Sequence, residues 1–133
     1  MALIWAENSK AIKKKVGCLI VKDNKIISDG YNGTPGGFNN QCEHIRTNSK
    51  EPLQTKPEVL HAESNAITKL ARSTMSSDES TLFTTLSPCF ECSKLIIQAG
   101  IIQVFWYENH NNEGLNLLKK AKIEITQIKK EEL

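Results

Sequence analysis

The stretch Ser87-Pro88-Cys89-Phe90-Glu91-Cys92 carries two cysteines three positions apart, immediately after a proline. Proline favours the first turn of a helix, and residues three apart lie on the same side of that turn. The two sulfurs therefore lie close together, and the positive end of the helix dipole favours the thiolate form, which binds metal. The stretch predicts the start of a helix that presents two metal ligands.

A second motif upstream, His61-Ala62-Glu63, supplies the complementary groups. Zn²⁺ held by two thiolates and one imidazole keeps a fourth position open for a water, which becomes nucleophilic near neutral pH. Glu63 lies two residues from His61, so at a helix start its carboxylate can approach that water without ligating the metal. We therefore predict that His61, Cys89 and Cys92 bind zinc and that Glu63 moves protons in a hydrolytic reaction.

A structural zinc site without chemistry is the alternative reading, because C-x-x-C also occurs in zinc ribbons and redox motifs. Such a closed site would need a fourth ligand. The sequence offers four candidates, namely Cys18, Cys42, His44 and His110. Cys42 and His44 could also belong to a second metal site. The closed site would leave the placement of Glu63 and Pro88 unexplained.

Length and charge limit the classes of protein. A chain of 133 residues is enough for one domain with a real core, so we predict one domain over residues 1–133. The net charge of +2 is too mild to indicate nucleic-acid binding by itself. Arg46 and Arg72 are the arginines among 17 basic residues, so phosphate binding would fall mainly to lysine, tyrosine, asparagine or backbone N–H groups. The basic run at 13–15 is either solvated surface or a phosphate-attracting segment.

The four cysteines do not indicate a disulfide-rich secreted protein. Two of them belong to the metal motif, and residues 1–15 lack a long apolar run followed by a cleavage site. No apolar stretch approaches membrane-spanning length. We expect a cytoplasmic protein in which Cys18 and Cys42 are free thiols.

The order of the predicted elements indicates the fold class. The pattern predicts a short helix within 1–10, then strands at 16–21 and 26–28 joined by a turn at Asp23-Asn24, and a helix at 60–72. It then predicts a strand at 81–86, a helix at 90–99 ended by Gly100, a strand at 101–107, a helix at 113–121 and a last strand or tail at 123–128. Strands alternate with helices from Thr81 onward, which implies parallel pairing. We predict a three-layer α/β/α sandwich on a five-stranded mixed sheet, with both metal-bearing helices on one face.

Two segments are predicted to be irregular. Residues 30–37 contain four glycines and a proline, which predicts a loop with exposed backbone N–H groups. Residues 39–60 are polar and show no sustained period, which predicts a long surface loop before the helix at 60–72.

Together these motifs resemble the deoxycytidylate (dCMP) deaminases of the cytidine deaminase superfamily, from about residue 16 to the last strand. The pattern H-x-E followed by P-C-x-x-C is the zinc signature of nucleobase deaminases. Three further stretches are similar to the dCMP-specific branch, namely Gly30-Tyr31-Asn32-Gly33-Thr34-Pro35, Asn65-Ala66-Ile67 and Thr85-Leu86-Ser87.

The resemblance implies zinc-dependent hydrolysis of dCMP to dUMP with release of ammonia. His61, Cys89 and Cys92 would bind Zn²⁺, while Glu63 would carry protons to ring N3 and to the leaving amine. The backbone around Ala62 and Ser87 would hold the pyrimidine. The implied substrate-binding residues are Asn32 for the sugar, Ala62, Asn65, Ser87, Tyr107 and His110.

The resemblance also implies regulation. Similar enzymes are commonly homo-hexamers that dCTP activates and dTTP inhibits, and their effector site would include Gly30, Tyr31, Asn32 and Gly33. Exposed N–H groups there would suit a triphosphate accompanied by Mg²⁺. The implied partners are small nucleotides, with neither membrane nor nucleic acid, in the cytoplasm or, for a viral enzyme, the host cytosol.

One departure and two alternatives remain. The family usually shows Tyr-x-Asp after the fourth strand, whereas this chain has His110-Asn111-Asn112, so a protonated His110 could contact a phosphate. A deaminase acting on tRNA or single-stranded DNA would need a basic groove with stacking aromatics, for which Tyr31, Trp106 and Tyr107 are candidates. A non-catalytic zinc-binding module is the other alternative.

Overall fold

The computed structural model describes residues 1–44 and 53–129. The elements are α1 Ala2–Ala6, β1 Gly17–Lys22, β2 Lys25–Tyr31, α2 Ala62–Leu70, β3 Thr81–Leu86, α3 Phe90–Gln98, β4 Gln103–Glu108, α4 Glu113–Lys120 and β5 Glu124–Gln127. In this part of the chain, five strands form one mixed sheet in the order β2-β1-β3-β4-β5. The predicted α/β class and mixed sheet are confirmed.

The antiparallel side of the sheet is the predicted hairpin. Asp23 and Asn24 have φ values of 52° and 62°, which both residues tolerate and which match the twist of a two-residue turn. β1 pairs antiparallel with β2 on one side and with β3 on the other. β3, β4 and β5 are parallel neighbours, as the alternation of strands and helices predicts.

Most of the core lies on one face of this sheet. Ile20 of β1 pairs with Leu82 of β3, and Leu82 pairs with Val104 of β4, and all three side chains are fully buried. Ile96 of α3 and Leu118 of α4 are also fully buried in the same cluster. Each such side chain contributes roughly 1.5–3 kcal/mol on burial, so this layer supplies much of the folding free energy.

The helices form two layers on opposite faces of the sheet. Gly17 faces α1, because a Cβ there would lie 2.6 Å from the Ala6 nitrogen. Gly30 faces α2, because a Cβ there would lie 2.7 Å from the Ala66 nitrogen. Gly17 and Cys18 point to opposite faces, and Cys18 pairs with Gly30. α2 contacts α3, which contacts α4, so these three helices share the face opposite α1.

The glycine segment differs from its prediction. Gly30 and Tyr31 belong to strand β2, and Gly30 is buried. The Asn32 amide donates to the Val16 carbonyl at 3.2 Å, and the Gly33 amide donates to the Leu60 carbonyl at 3.1 Å. The prediction of exposed N–H groups is therefore wrong for Asn32 and Gly33, whose amides donate within the chain. It is also wrong for Gly30, which is buried.

The predicted surface loop at 39–60 is also corrected in part. Cys42 and Glu43 are buried, and Glu43 forms an isolated bridge with Thr55. Residues 45–52 of this loop, with Arg46, lie outside the described residues, as does the charged end at 130–133. The first helix forms within the predicted range, with Ala6 buried and Leu3 and Ile4 exposed.

None of the helices within residues 1–44 and 53–129 combines the length and apolar character that crossing a membrane requires.

Candidate active site

The candidate metal ligands meet where two helices begin. His61 is the N-cap of α2 and Cys89 is the N-cap of α3, both with extended backbone. Cys92 lies in the first turn of α3, and its amide donates to the Cys89 sulfur at 3.4 Å. The helix starts therefore bring an imidazole and two thiols together, and their positive dipole ends favour anionic sulfur there.

The distances within this cluster fit Zn²⁺. His61 Nδ1 lies 3.3 Å from Cys92 Sγ and 3.4 Å from Cys89 Sγ, and all three ligand atoms lie within 4.8 Å of one another. A tetrahedral zinc with ordinary Zn–S and Zn–N bonds separates its ligand atoms by about 3.5 Å. Two thiolates with one imidazole are also a donor set that zinc prefers.

The described residues add no fourth ligand to this cluster. Cys18, Cys42, His44 and His110 all lie outside the group of three. Within the same residues, Cys42 and His44 join no metal-binding group of their own, so the second metal site is not formed there. Cys18 is buried in β1, which raises the pKa of its thiol and suits it to the core.

Hydrogen bonds among the three candidate ligands shift their pKa values. Hydrogen bonds from the Cys92 side chain and from His61 lower the pKa of Cys89 to about 3, so this sulfur is a thiolate at neutral pH. The pKa of Cys92 is raised, because its proton is shared with Cys89 and its side chain is buried. The hydrogen bond to Cys89 raises the pKa of His61.

Glu63 is buried beside this cluster. Its Oε1 accepts a hydrogen bond from the Thr84 hydroxyl at 2.7 Å, which holds the carboxyl group against β3. Burial raises the pKa of Glu63, and the Thr84 hydrogen bond opposes part of that rise. A carboxyl group with a raised pKa is suited to accept a proton and return it near neutral pH.

A cavity of about 240 Å³ opens over these groups. His61, Glu63 and Cys89 line one part of it. Four of the predicted substrate-binding residues also line it, namely Asn32, Ala62, Ser87 and His110. Lining residues that the sequence did not single out as substrate contacts include Lys13, Lys14, Cys42, Glu43 and Thr55. The structure therefore joins the zinc motif, the glycine segment and the basic run around one space.

Two residues that were predicted to bind the substrate do not line the cavity. Asn65 does not line the cavity, because its Nδ2 donates to the Tyr31 carbonyl at 3.0 Å and joins α2 to β2. Tyr107 follows Trp106 on β4, and the alternation of side chains puts it on the α1 face of the sheet. It lines a separate groove there, with residues such as Leu19 and Phe83.

Asn32 and Ser87 shape the cavity wall through hydrogen bonds to nearby backbone. Asn32 Oδ1 accepts from the Val16 amide at 2.9 Å, and its Nδ2 donates to the Lys14 carbonyl at 2.7 Å. Ser87 Oγ accepts from the His110 amide at 2.8 Å. These bonds tie Asn32 to residues 14 and 16 and Ser87 to His110, all of which line the cavity.

Sequence reasoning missed Glu43 and Thr84. The surroundings of Glu43 show no periodic pattern, so nothing in the sequence indicated that its side chain is buried. Thr84 lies in a strand that was predicted with the right bounds, and only its alternation with Phe83 could have placed it on the core face.

The zinc-dependent nucleobase deaminases have this arrangement: one histidine and two cysteines as metal ligands, beside a glutamate that is not a ligand. The family model described as the cytidine and deoxycytidylate deaminase zinc-binding region matches residues 1–108. The chain belongs to this family.

Relatives agree with this assignment. The chain is 34% identical over 134 residues to the deoxycytidylate deaminase of Saccharomyces cerevisiae, covering 96% of this chain and 42% of that protein. It is 31% identical over 171 residues to the deoxycytidylate deaminase of Enterobacteria phage T4, covering 100% and 89%. The chain thus spans about two fifths of the yeast relative and most of the phage relative.

A solved structure is similar throughout. The dCMP deaminase of cyanophage S-TIM5, crystallised in complex with dCMP and dUMP, matches with a TM-score of 0.86 and 38% sequence identity. The match covers 96% of this chain and 90% of that chain.

Proposed function

We propose that this protein catalyses the hydrolytic deamination of dCMP to dUMP with release of ammonia, using Zn²⁺ bound by His61, Cys89 and Cys92. The observation that carries the proposal is the buried Glu63 carboxyl group beside a three-membered ligand cluster in a nucleotide-sized cavity. The names of the yeast and phage relatives support it, as do the two nucleotides bound in the cyanophage structure.

Zinc would activate the water, and residues of the chain would transfer the protons. Zinc, when bound, acts as a Lewis acid that makes a water nucleophilic near neutral pH. Glu63 accepts a proton from the attacking water and delivers it to ring N3, then takes the second proton from the new C4 hydroxyl and delivers it to the amino group on C4. A C4–O bond forms, the C4–N bond breaks, and ammonia leaves. The Thr84 hydroxyl keeps the carboxyl group aimed at these atoms.

The remaining lining residues fit the other parts of the nucleotide. We assign the pyrimidine edge to the backbone around Ala62 and Ser87 and the sugar to the Asn32 region. Lys13 and His110 line the same cavity, and both side chains carry N–H groups that can donate to a phosphate. They are therefore the candidates for the 5′-phosphate.

A polynucleotide substrate is disfavoured by the aromatic residues. Of the three candidate aromatics, Trp106 is only 7% exposed, and neither Tyr31 nor Tyr107 lines the cavity. These side chains do not provide the stacking platform that a single-stranded substrate would need.

We also propose a homo-hexamer in the cytoplasm, or in the host cytosol if the source is a virus, serving pyrimidine nucleotide metabolism. dCTP with Mg²⁺ would activate it and dTTP would inhibit it through the 30–33 segment. Because the amides of Asn32 and Gly33 donate within the chain, this segment would contact an effector mainly through the Tyr31 side chain. Substrate saturation curves that do not move with either nucleotide would reject the regulation.

The function is tested by ammonia release from dCMP, dCTP, cytidine, adenosine and a tRNA hairpin. We expect dCMP to react fastest. Glu63→Gln should keep stoichiometric zinc and lose roughly three decades of turnover, as expected for loss of a general acid–base. Glu7→Gln, at the exposed end of α1, is the matched control and should turn over normally. Full activity in Glu63→Gln would contradict the mechanism.

A further inference from the structure

A second carboxylate on the cavity wall has no part in the proposed proton transfer. Glu43 lines the same cavity as Glu63, although Glu43 is only 3% exposed. It lies between the glycine segment and Thr55, with which it forms a backbone bridge. A buried charge in a binding cavity needs partners, because burial removes its hydration.

The two oxygens of Glu43 differ in their partners. Oε1 accepts hydrogen bonds from the amides of Ile12 at 2.7 Å and Lys13 at 3.1 Å. No group within residues 1–44 and 53–129 donates to Oε2. Two backbone amides thus hold Oε1, Oε2 retains acceptor capacity, and Glu43 is one of the residues that line the cavity.

The chemistry of a mononucleotide decides which of its groups can meet Glu43. The amino end of the base belongs at Glu63 and the metal ligands. A phosphate would be repelled by a carboxylate and finds Lys13 and His110 on the same wall instead. The remaining donor of a 2′-deoxynucleotide is its 3′-hydroxyl.

We propose that Glu43 Oε2 accepts a hydrogen bond from the 3′-hydroxyl of the deoxyribose, which makes Glu43 a specificity-determining residue. This inference rests on the proposed function. The geometry is consistent with the phosphate assignment, because the other oxygen of Glu43 holds the backbone from which Lys13 reaches the cavity. Sugar hydroxyl and 5′-phosphate would thus be recognised by one connected segment.

The same contact would exclude polynucleotides. A nucleotide inside a DNA or RNA strand carries a phosphate on its 3′ oxygen, so it has no 3′-hydroxyl to donate and brings a negative charge against Glu43. A site built to bond a hydroxyl discriminates strongly against a ligand without it, because a buried acceptor is then left unpaired. Glu43 would therefore select free mononucleotides.

The test compares three substrates on the zinc-loaded full chain, using kcat/KM from ammonia release. The substrates are dCMP, 2′,3′-dideoxycytidine 5′-monophosphate and deoxycytidine 3′,5′-bisphosphate. The enzymes are the unaltered protein, Glu43→Gln and the exposed control Glu7→Gln. Glutamine keeps a carbonyl oxygen for the Ile12 and Lys13 amides, so it preserves the backbone contact while removing the charge.

We expect the unaltered protein and Glu7→Gln to prefer dCMP over the dideoxynucleotide by about 10- to 100-fold, the range for a hydrogen bond to a charged group. In Glu43→Gln this preference should fall below about 3-fold, and activity on the bisphosphate should rise at least about 10-fold. If Glu43 had a merely structural role, Glu43→Gln would lower kcat/KM equally for all three substrates and could not raise it for any of them.

The outcomes separate the two claims. Equal kcat/KM for dCMP and the dideoxynucleotide in an active unaltered enzyme would overturn the role of Glu43 alone. An unchanged preference in Glu43→Gln would do the same. If Glu43→Gln fails to fold, equal kcat/KM for dCMP and the dideoxynucleotide in the unaltered protein would still overturn the proposal. Absence of turnover with every cytosine nucleotide would overturn the proposed function and this inference with it.

Discussion

Gly30→Ala tests how the fold positions the active site. Gly30 lies in β2 with α2 directly above it, and an added Cβ would lie 2.7 Å from the Ala66 nitrogen and 3.2 Å from the Ala66 Cβ. It would lie closer still to the Ala62 carbonyl oxygen. Ordinary contacts between such atoms are about 3.5–4.0 Å, so α2 would have to move by roughly 1 Å. The atoms in the way are helix backbone, which no side-chain rotation can relieve.

This displacement should cost both stability and turnover. Overpacking of this kind lowers the free energy of unfolding by about 1–3 kcal/mol. α2 begins at His61 and carries Glu63, and a misplacement of about 1 Å at reacting groups can reduce the rate by about 100-fold. Urea unfolding of the zinc-loaded protein, followed by circular dichroism, measures the first effect, and kcat/KM for dCMP measures the second.

Gly36→Ala is the matched control. Nothing lies within 4 Å of a Cβ at that position, and its residue is exposed. We expect its free energy of unfolding to stay within about 0.5 kcal/mol of the unaltered protein. If Gly30→Ala matched this control in both urea midpoint and turnover, the close contact between β2 and α2 would be refuted.

Two further substitutions test the ligand cluster and the core. Cys89→Ala should weaken zinc binding by more than about 100-fold while Cys42→Ala keeps stoichiometric metal, and zinc retained after dialysis of Cys89→Ala would contradict the ligand set. Ile96→Ala should lower the free energy of unfolding by about 2–5 kcal/mol, because Ile96 is fully buried, whereas exposed Ile102→Ala should change it little. Equal urea midpoints for these two variants would argue against the packing of α3.

Much of the fold could be predicted because local signals decide it. The strand at 81–86 has the bounds that its β-favouring residues predict, and the turn at Asp23-Asn24 follows from two residues that tolerate positive φ. Pro88 placed the start of α3 correctly. Such signals depend only on residues close in sequence, so a single chain is enough to read them.

The failures arise where distant segments decide. Four glycines near residue 33 indicate a flexible loop, but Gly30 is needed because α2, more than thirty residues later, packs on it. Glu43 is buried because two amides about thirty residues earlier bond to it. Tyr107 is a different case: the resemblance assigned it to the substrate, whereas local side-chain alternation along β4 places it on the opposite face of the sheet.

The local motifs determine the types of the metal ligands, whereas packing between distant elements determines where those ligands lie. The chemistry of the cluster is local, since His61 and Cys89 occupy equivalent N-cap positions where helix dipoles favour anionic ligands. Their separation is not local, because each helix is seated by a glycine outside the motif. Gly30 admits α2, and Gly114 admits α4 against α3, where a Cβ would lie 2.7 Å from the Cys89 carbonyl oxygen and 2.6 Å from Ser93 Oγ. A short zinc signature therefore indicates the candidate ligands, while Gly30 and Gly114 allow close packing of the elements that carry them.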